Sequence, residues 1–132
     1  MSALMPTYAR LPVTFTHGEG VYVFDTEGRR YLDGISGIAV TGLGHAHPAV
    51  TTALSEQARR LVHTSNLYGI AHQEHLATLL CELSGMDKCF FGNSGAEAVE
   101  SAMKLVRYHS GRDKFIAFFG AFHGRTMGAL SL

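Results

Sequence analysis

The chain has 132 residues, of which 46% are hydrophobic, and this composition is sufficient for a globular domain with an apolar core. Its 11 basic residues balance its 11 acidic residues, and the zero net charge argues against a dedicated binder of nucleic acid or of a membrane surface. No signal peptide and no apolar stretch of the roughly 18–20 residues of a membrane span is visible, and two cysteines are too few for a disulfide framework, so a cytoplasmic protein is expected.

Short strands open the chain. Three β-branched and aromatic runs predict a small antiparallel unit: residues 13–16, 21–25 and 30–33. A turn at His17-Gly18-Glu19-Gly20 would join the first two strands into a hairpin. A glycine-rich connection follows over residues 34–47. We therefore predict an N-terminal segment over residues 1–44, with a domain boundary near Gly44.

Three helices follow, and their ends are marked by capping residues. The apolar spacing predicts helices over 48–62, with Pro48 in the first turn, and over 71–84, with Gly85 at the C-terminal end. A third helix begins at Gly95 or Ala96 and ends before Gly111.

Two short apolar runs flank the third helix and predict buried strands, at residues 88–91 and 114–119. From Lys88 onward the order is strand, glycine turn, helix, strand, glycine turn, which is typical of a βαβ unit. The predicted fold class is therefore α/β, with residues 45–132 as the first part of a mostly parallel-sheet domain.

The turn before the third helix is a candidate phosphate site. Ser94 and Glu97 have the spacing of a capping box, and the small residues Gly95 and Ala96 allow an anion to approach their backbone N–H groups. A helix N-terminus offers such donors together with a partial positive charge. The same pattern also fits an ordinary capped turn between a strand and a helix, and both interpretations stay open at this point.

A second candidate site follows the second predicted strand, at residues 120–126. Phe122 could stack on a flat cofactor, and Arg125 could bind a carboxylate through two parallel hydrogen bonds. A core phenylalanine and a surface arginine would give the same sequence pattern, and by itself the pattern favours that second interpretation.

The eight histidines do not predict a metal site. His45 and His47 lie two residues apart, and His72 and His75 share the i, i+3 spacing of a helix face, but neither pair has a third ligand at a suitable distance along the chain. The sequence contains no G-x-S-x-G nucleophile elbow, and neither cysteine has a partner motif.

Seven stretches in the same order carry a resemblance to a known family: residues 20–25, 31–33, 36–40, 43–48, 65–68, 93–98 and 122–126. On these motifs the chain resembles the class III, or ornithine-type, aminotransferases of pyridoxal-phosphate (PLP) fold-type I. Within that family the motifs are most similar to those of the acetylornithine type. The resemblance covers nearly the whole chain, and it places residues 1–44 in the small domain and residues 45–132 in the large PLP-binding domain.

The resemblance implies roles for the two candidate sites. The backbone amides of Gly95 and Ala96, with Ser94 nearby, would hold the cofactor phosphate. Phe122 would stack on the pyridine ring, and Arg125 would bind a carboxylate of the amino-acid substrate.

Other motif positions receive weaker assignments from the resemblance. Ile38 would lie near the substrate entrance, where ornithine δ-aminotransferases tend to have tyrosine. Tyr8 would reach the substrate as well. His45 and His47 would be structural residues.

The implied reaction is a ping-pong transamination. N2-acetylornithine and 2-oxoglutarate would give N-acetylglutamate semialdehyde and glutamate, a step of arginine biosynthesis, in an enzyme that is usually a homodimer. Alternatives are another ω-amino-acid transaminase (ornithine, succinylornithine or γ-aminobutyrate type), an aminomutase, or a non-catalytic remnant that binds phosphate ligands or a partner chain.

The family's Schiff-base lysine is not expected within this chain. Lys88, Lys104 and Lys114 do not match the catalytic motif, which lies farther downstream in the family together with the aspartate that pairs with the pyridine nitrogen. We therefore expect the chain to be an N-terminal portion that is inactive alone, with no catalytic residue of its own.

Overall fold

The computed structural model describes residues 3–132, and the chain divides into two compact units, Met1–Leu67 and Tyr68–Leu132. The division follows contacts within this chain alone, so the domain boundary expected near Gly44 stays a prediction.

The first unit contains a three-stranded antiparallel sheet. Its strands are β1 (Phe15–Glu19), β2 (Tyr22–Asp25) and β3 (Arg30–Leu32), paired in the order β1-β2-β3. Glu19 pairs with Tyr22 and Tyr22 pairs with Leu32, so the central strand β2 has a neighbour on each side. The predicted antiparallel unit is confirmed.

The turn between β1 and β2 differs from the prediction. The strand β1 continues through residues 17–19, which were expected to form the turn, and only Gly20 and Val21 lie between the strands. Gly20 has a φ of 55°, a conformation that suits glycine at the first position of a two-residue hairpin turn. The tight turn therefore shifts the first strand by two or three residues along the chain.

A buried carboxylate organises the turn between β2 and β3. Asp25 is 3% exposed and accepts hydrogen bonds from the backbone N–H groups of Glu27 and Arg29, both at 2.9 Å. It also accepts from Arg29 Nε at 2.7 Å and from the Tyr31 hydroxyl at 3.0 Å. Burial alone would raise the pKa of Asp25, but these hydrogen bonds prevail and lower it to about 2.

The glycine-rich connection contains a one-turn helical segment, α1 (Ser36–Ala39), of unusual hand. All four residues have positive φ, between 52° and 64°. Only Gly37 adopts this region without steric cost, because a left-handed residue with a Cβ costs about 1–2 kcal/mol. Asp33 Oδ1 supports the entrance to the turn by accepting hydrogen bonds from Ile35 N and Ser36 N, at 3.1 and 2.8 Å.

The end of this connection packs back onto the hairpin. Gly20 and His45 form an isolated antiparallel bridge, with N···O distances of 3.0 and 2.7 Å. Asp33 Oδ2 lies 2.7 Å from His45 Nε2, and this contact, followed by the hydrogen bond from Ser36 N, lowers the pKa of Asp33. Asp33 thus joins the third strand, the left-handed turn and the returning loop.

The remaining elements are helices. They are α2 (Pro48–Arg60), α3 (Ala71–Ser84), α4 (Gly95–Ser110) and the short α5 (Met127–Leu130). The predicted ends are confirmed to within two residues, because Pro48 begins α2 and because Gly85 and Gly111 end α3 and α4 in the left-handed conformation.

The two buried strands predicted at residues 88–91 and 114–119 are wrong for this structure. Strand pairing within residues 3–132 is confined to β1–β3 and the Gly20–His45 bridge. Both segments are exposed, with Phe90 at 75% and Ile116 at 98%. A strand requires a neighbour for its backbone N–H and C=O groups, and neither segment finds one here.

Little of the chain's apolar surface is covered. Among residues 3–132, the buried hydrophobic residues are Met103 and Ala129. The chain exposes 12,093 Å², whereas a compact monomer of its mass would expose about 6,800 Å² and two separate compact units of half that mass about 8,200 Å². The apolar stripes predicted on α2 and α3 exist, but they face solvent.

Candidate functional site

The start of α4 leaves two backbone donors without a partner among the residues that the structure describes. Ser94 Oγ accepts a hydrogen bond from Glu97 N at 3.2 Å, as expected for the N-cap residue. Ala98 N donates to Ser94 O at 3.0 Å. Within the described part of the chain, no group accepts a hydrogen bond from the N–H of Gly95 or Ala96. These are the donors that an anion at a helix N-terminus would use.

The predicted capping box is formed in altered geometry. Glu97 Oε2 accepts from Asn93 N at 2.5 Å, instead of from the N–H of the cap residue Ser94. The glutamate therefore binds the backbone of the residue before the cap. A Cβ atom built on Gly92 would lie 3.4 Å from the Cβ atom of Glu97, so the two residues are in contact. This holds the turn in place without covering the two donors.

Space for a ligand exists beside this turn. Apart from its chain neighbours and the backbone of its own helix, a Cβ atom added at Gly95 would meet no atom within 4 Å. The glycine therefore keeps the approach to the N–H groups open.

The segment that follows residue 120 lies against the first turn of α4. Gly124 has a φ of 128°, and a Cβ built on it would lie 2.7 Å from the Cβ of Ala96 and 3.2 Å from that of Ala129. Such close approach is possible only for glycine. The sequence-predicted residues at 94–96 and at 122–125 are therefore brought together in the second unit.

Phe122 and Arg125 are adjacent within this cluster. The guanidinium carbon of Arg125 lies 5.3 Å from the centre of the Phe122 ring, a distance typical of a cation–π contact. The ring of Phe122 is 73% exposed, so a face remains accessible to a flat ligand. An aromatic face, a positive charge and two orphan N–H donors thus share one region.

Glu100 is a residue of this region that the sequence did not indicate. Its Oε1 accepts hydrogen bonds from Thr126 Oγ1 at 2.6 Å and from Ala129 N at 3.1 Å. The Thr126 hydroxyl, followed by the backbone N–H groups of Ala129 and Gly128, holds the pKa of Glu100 below its ordinary value. In the sequence, only its position four residues after Ala96, on the same face of the helix, could have indicated that Glu100 lies near the site.

Lys104 lies away from the orphan donors. Lys104 is nine residues into α4, which places its backbone about 13 Å along the axis from Gly95. Its charge acts on Glu100, whose pKa it helps to lower. Lys88 and Lys114 begin the two exposed segments at 88–91 and 114–119.

Two of the histidines, His45 and His47, lie in the first unit. His45 binds Asp33, and His47 precedes α2 with its Nδ1 atom buried. Over residues 3–132 there is no group of three or more His, Cys, Asp or Glu side chains that could hold a metal ion.

The two cysteines are closer than their sequence spacing suggested. Cys81 Sγ and Cys89 Sγ lie 3.7 Å apart, because the chain reverses after Gly85. Burial, followed by the neighbouring Cys81 thiol, raises the pKa of Cys89. Both thiols are free.

Tyr8 and Ile38 belong to the first unit, and both are exposed, Ile38 at the left-handed turn α1. Their expected approach to the substrate stays a prediction.

In the described part of the chain, no helix has the length and apolarity required to cross a membrane.

Curated relatives match the chain over nearly its full length. It is 54% identical to the acetylornithine aminotransferase of Nitrosomonas europaea, over 99% of this chain and 35% of that protein. It is 57% identical to the acetylornithine aminotransferase of Methanopyrus kandleri, over 96% of this chain and 33% of that protein. The chain therefore spans about a third of the length of the curated relatives it matches.

Solved structures show the same fold. N-acetylornithine aminotransferase from Stenotrophomonas maltophilia matches with a TM-score of 0.80 and 42% identity, over 89% of this chain and 34% of that one. Ornithine aminotransferase from Toxoplasma gondii matches with a TM-score of 0.87 and 33% identity, over 98% and 32%.

A third structure matches with a TM-score of 0.90 and 28% identity, over 96% of this chain and 30% of that one. It is taurine:2-oxoglutarate aminotransferase from Bifidobacterium kashiwanohense in complex with PLP and glutamate. These matches confirm the predicted α/β class of PLP fold-type I. The profile of the family Aminotransferase class-III matches residues 4–132, and the chain therefore belongs to the class-III aminotransferases.

Proposed function

We propose that the complete enzyme containing this chain transfers the amino group of N2-acetylornithine to 2-oxoglutarate, with PLP as cofactor and with N-acetylglutamate semialdehyde and glutamate as products. The observation that carries the proposal is the 54% identity, over 99% of the chain, to a protein named acetylornithine aminotransferase. A homodimeric assembly and a cytoplasmic location belong to the same proposal.

The start of α4 fits a phosphate group. The N–H donors of Gly95 and Ala96 have no acceptor among residues 3–132, and a Cβ added at Gly95 would meet no side chain within 4 Å beyond its chain neighbours. Ser94 Oγ already accepts from Glu97 N, so its hydroxyl proton remains available for a phosphate oxygen. We assign the cofactor phosphate to these three residues, because the helix terminus favours a negative charge.

Phe122 and Arg125 would act on the other bound groups. The accessible face of Phe122 suits a flat ring, which it would orient by stacking. The guanidinium of Arg125 would bind the substrate carboxylate and fix the direction in which the amino group points. PLP, when bound, supplies the electron sink that makes the amino-group transfer possible.

The roles assigned to this chain are binding and orientation. The proton-carrying lysine of the family belongs to a motif that Lys88, Lys104 and Lys114 do not match. We therefore propose that the residues which move protons lie in the part of the family's length that this chain does not span.

An ornithine-type transaminase is the second candidate, favoured by the TM-score of 0.87 to ornithine aminotransferase from Toxoplasma gondii. Ile38 argues against it, since the resemblance implies tyrosine at that position in ornithine enzymes. Among the solved structures, the identity is also higher to the acetylornithine aminotransferase from Stenotrophomonas maltophilia than to the ornithine aminotransferase from Toxoplasma gondii, at 42% against 33%.

Amino-donor profiling of the complete enzyme tests the proposal. Glutamate formation from 2-oxoglutarate would be measured with N2-acetylornithine, ornithine, succinylornithine and γ-aminobutyrate, with a reaction lacking the amino donor as control. We expect the highest kcat/KM with N2-acetylornithine. A higher value with ornithine would replace the proposal by the second candidate.

Cofactor binding is tested independently of turnover. Borohydride reduction followed by intact-mass measurement of the complete protein should show one pyridoxyl group per chain. Absence of both the pyridoxyl group and glutamate formation would support the non-catalytic alternative.

A further inference from the structure

A network of hydrogen bonds joins α4 to the segment that follows the Phe122–Arg125 loop. Glu100, in the second turn of α4, accepts from the Thr126 hydroxyl at 2.6 Å and from Ala129 N at 3.1 Å. These contacts bridge 26 and 29 residues of sequence. We name the group Glu100, Thr126, Gly128 and Ala129 the latch.

The packing around the latch leaves no room for larger residues. A Cβ atom built on Gly128 would collide with the carboxylate of Glu100, and one built on Gly124 would lie 2.7 Å from the Ala96 Cβ. Ala129 itself is 2% exposed. The latch is therefore closely packed, whereas most of the large apolar side chains of the chain are exposed.

The carboxylate form of Glu100 suits this position. An ionised carboxylate only accepts hydrogen bonds, and a charged acceptor makes stronger bonds than a neutral one. The hydroxyl of Thr126 and the N–H groups of Gly128 and Ala129 are all donors, and together they lower the pKa of Glu100. The group therefore remains ionised at neutral pH, when the network is complete.

The latch adjoins the residues assigned to ligand binding. Ala96 and Glu100 lie one turn apart on the same face of α4, and that face carries both Gly124 and the latch. Arg125 lies between these two contacts in sequence, directly before Thr126. Its backbone is thus fixed on both sides by α4.

We infer that Glu100 is a positioning residue, which holds Phe122 and Arg125 at the correct distance from the phosphate-binding start of α4. The inference rests on the proposed function, because it concerns the residues that would contact the cofactor ring and the substrate carboxylate. Glu100 itself contacts neither ligand; it acts through the backbone of residues 122–126.

Amide hydrogen exchange in the complete enzyme without substrate tests the latch directly. Glu100→Ala should speed exchange over residues 122–130 by about tenfold, as for loss of a charged hydrogen-bond acceptor, and leave α3 unchanged. Glu100→Gln keeps one acceptor and the side-chain shape, so it should recover part of the protection. Glu82→Ala, an exposed glutamate on α3, is the matched control.

Steady-state kinetics then test whether the latch positions Arg125. Glu100→Ala should raise the KM for the amino donor by about tenfold or more, because a small displacement of a binding group has a large effect. In an Arg125→Ala background the same change should alter KM by less than about twofold, because the two residues would act through one contact. Thr126→Val serves as a milder variant if Glu100→Ala does not fold.

The outcomes separate this inference from the proposed function. Unchanged exchange over residues 122–130 would show that Glu100 does not hold the segment, whatever the activity. Faster exchange with an unchanged KM, or a KM effect that persists without Arg125, would reduce Glu100 to a structural residue and overturn the inference. If the unsubstituted enzyme forms no glutamate from any donor, but Glu100→Ala still speeds exchange over residues 122–130, the proposed function is contradicted and the hydrogen-bonded latch is supported.

Discussion

Arg125 combines a permanent charge with a flat group that lies 5.3 Å from the ring of Phe122. The contact with the ring restricts the guanidinium, which keeps its permanent positive charge. A lysine at the same position would provide a charge but not two parallel donors.

Replacing Arg125 in the complete enzyme tests its assignment to the substrate. Arg125→Ala should weaken productive binding of the amino donor by about 2–5 kcal/mol, as for loss of a charged hydrogen-bonding partner, and leave PLP affinity nearly intact. Arg125→Lys should bind the amino donor more weakly than the unsubstituted enzyme and more tightly than Arg125→Ala. Kinetics and a PLP absorbance titration measure the effects, with the exposed Arg112→Ala as control; unchanged substrate kinetics would remove Arg125 from the site.

Asp25 makes the stability of the first unit dependent on pH. Its pKa is lowered from 3.8 to about 2, so its stabilising effect is fully present above about pH 4 and is lost as the pH falls through 2. The free energy of unfolding of the complete protein should therefore exceed that of Asp25→Asn at neutral pH, and the difference should shrink between pH 4 and 2. A difference that stays constant over this range would mean that Asp25 titrates normally.

Between elements, the loop that returns to the hairpin can pack against it only because residue 44 is a glycine. Gly44 has a φ of 85°, and a Cβ on it would lie 2.8 Å from Gly20 O. Gly44→Ala should therefore destabilise the complete protein by about 2–4 kcal/mol through backbone strain and overlap. Gly42→Ala is the matched control, since Gly42 has neither a positive φ nor a neighbour within 4 Å. Equal melting temperatures for the two variants would contradict the docking of this loop.

Helix ends were predictable because their signals are local. Pro48, Ser94, Gly85 and Gly111 each act on backbone groups within a few residues, and the structure places each at the expected helix end. The phosphate-site prediction belongs to this class, because a capped helix start is recognisable from four or five consecutive residues. Phe122 and Arg125 lie near that start because Gly124, between them in sequence, packs against Ala96.

Features that depend on distant neighbours were not predictable. The runs at 88–91 and 114–119 have strand composition, yet they find no pairing partner. The left-handed turn α1 contains one glycine among four residues with positive φ, and it is held by Asp33 and the bridge to His45. Glu100 could not be assigned to the latch because its partners lie 26 and 29 residues away.

For the whole molecule, the exposed apolar surface is the dominant property. The unpaired runs at 88–91 and 114–119 and the apolar stripes of α2 and α3 all face solvent. Large exposed apolar surface promotes association with other protein. Because the chain spans about a third of the length of its curated relatives, we propose that the remainder of the enzyme covers these surfaces.

Comparison of residues 1–132 alone with the complete enzyme tests this coverage. The isolated segment should bind a hydrophobic dye strongly and elute from a sizing column as associated species, whereas the complete enzyme should do neither, because its apolar runs would be paired and packed. Ile116→Lys and Phe119→Lys in the isolated segment should reduce dye binding, since both side chains are exposed there. In the complete enzyme the same substitutions should be strongly destabilising, because they would bury a charge. A monomer of 14.3 kDa that unfolds cooperatively and binds no dye would instead show that the segment covers its own apolar surface.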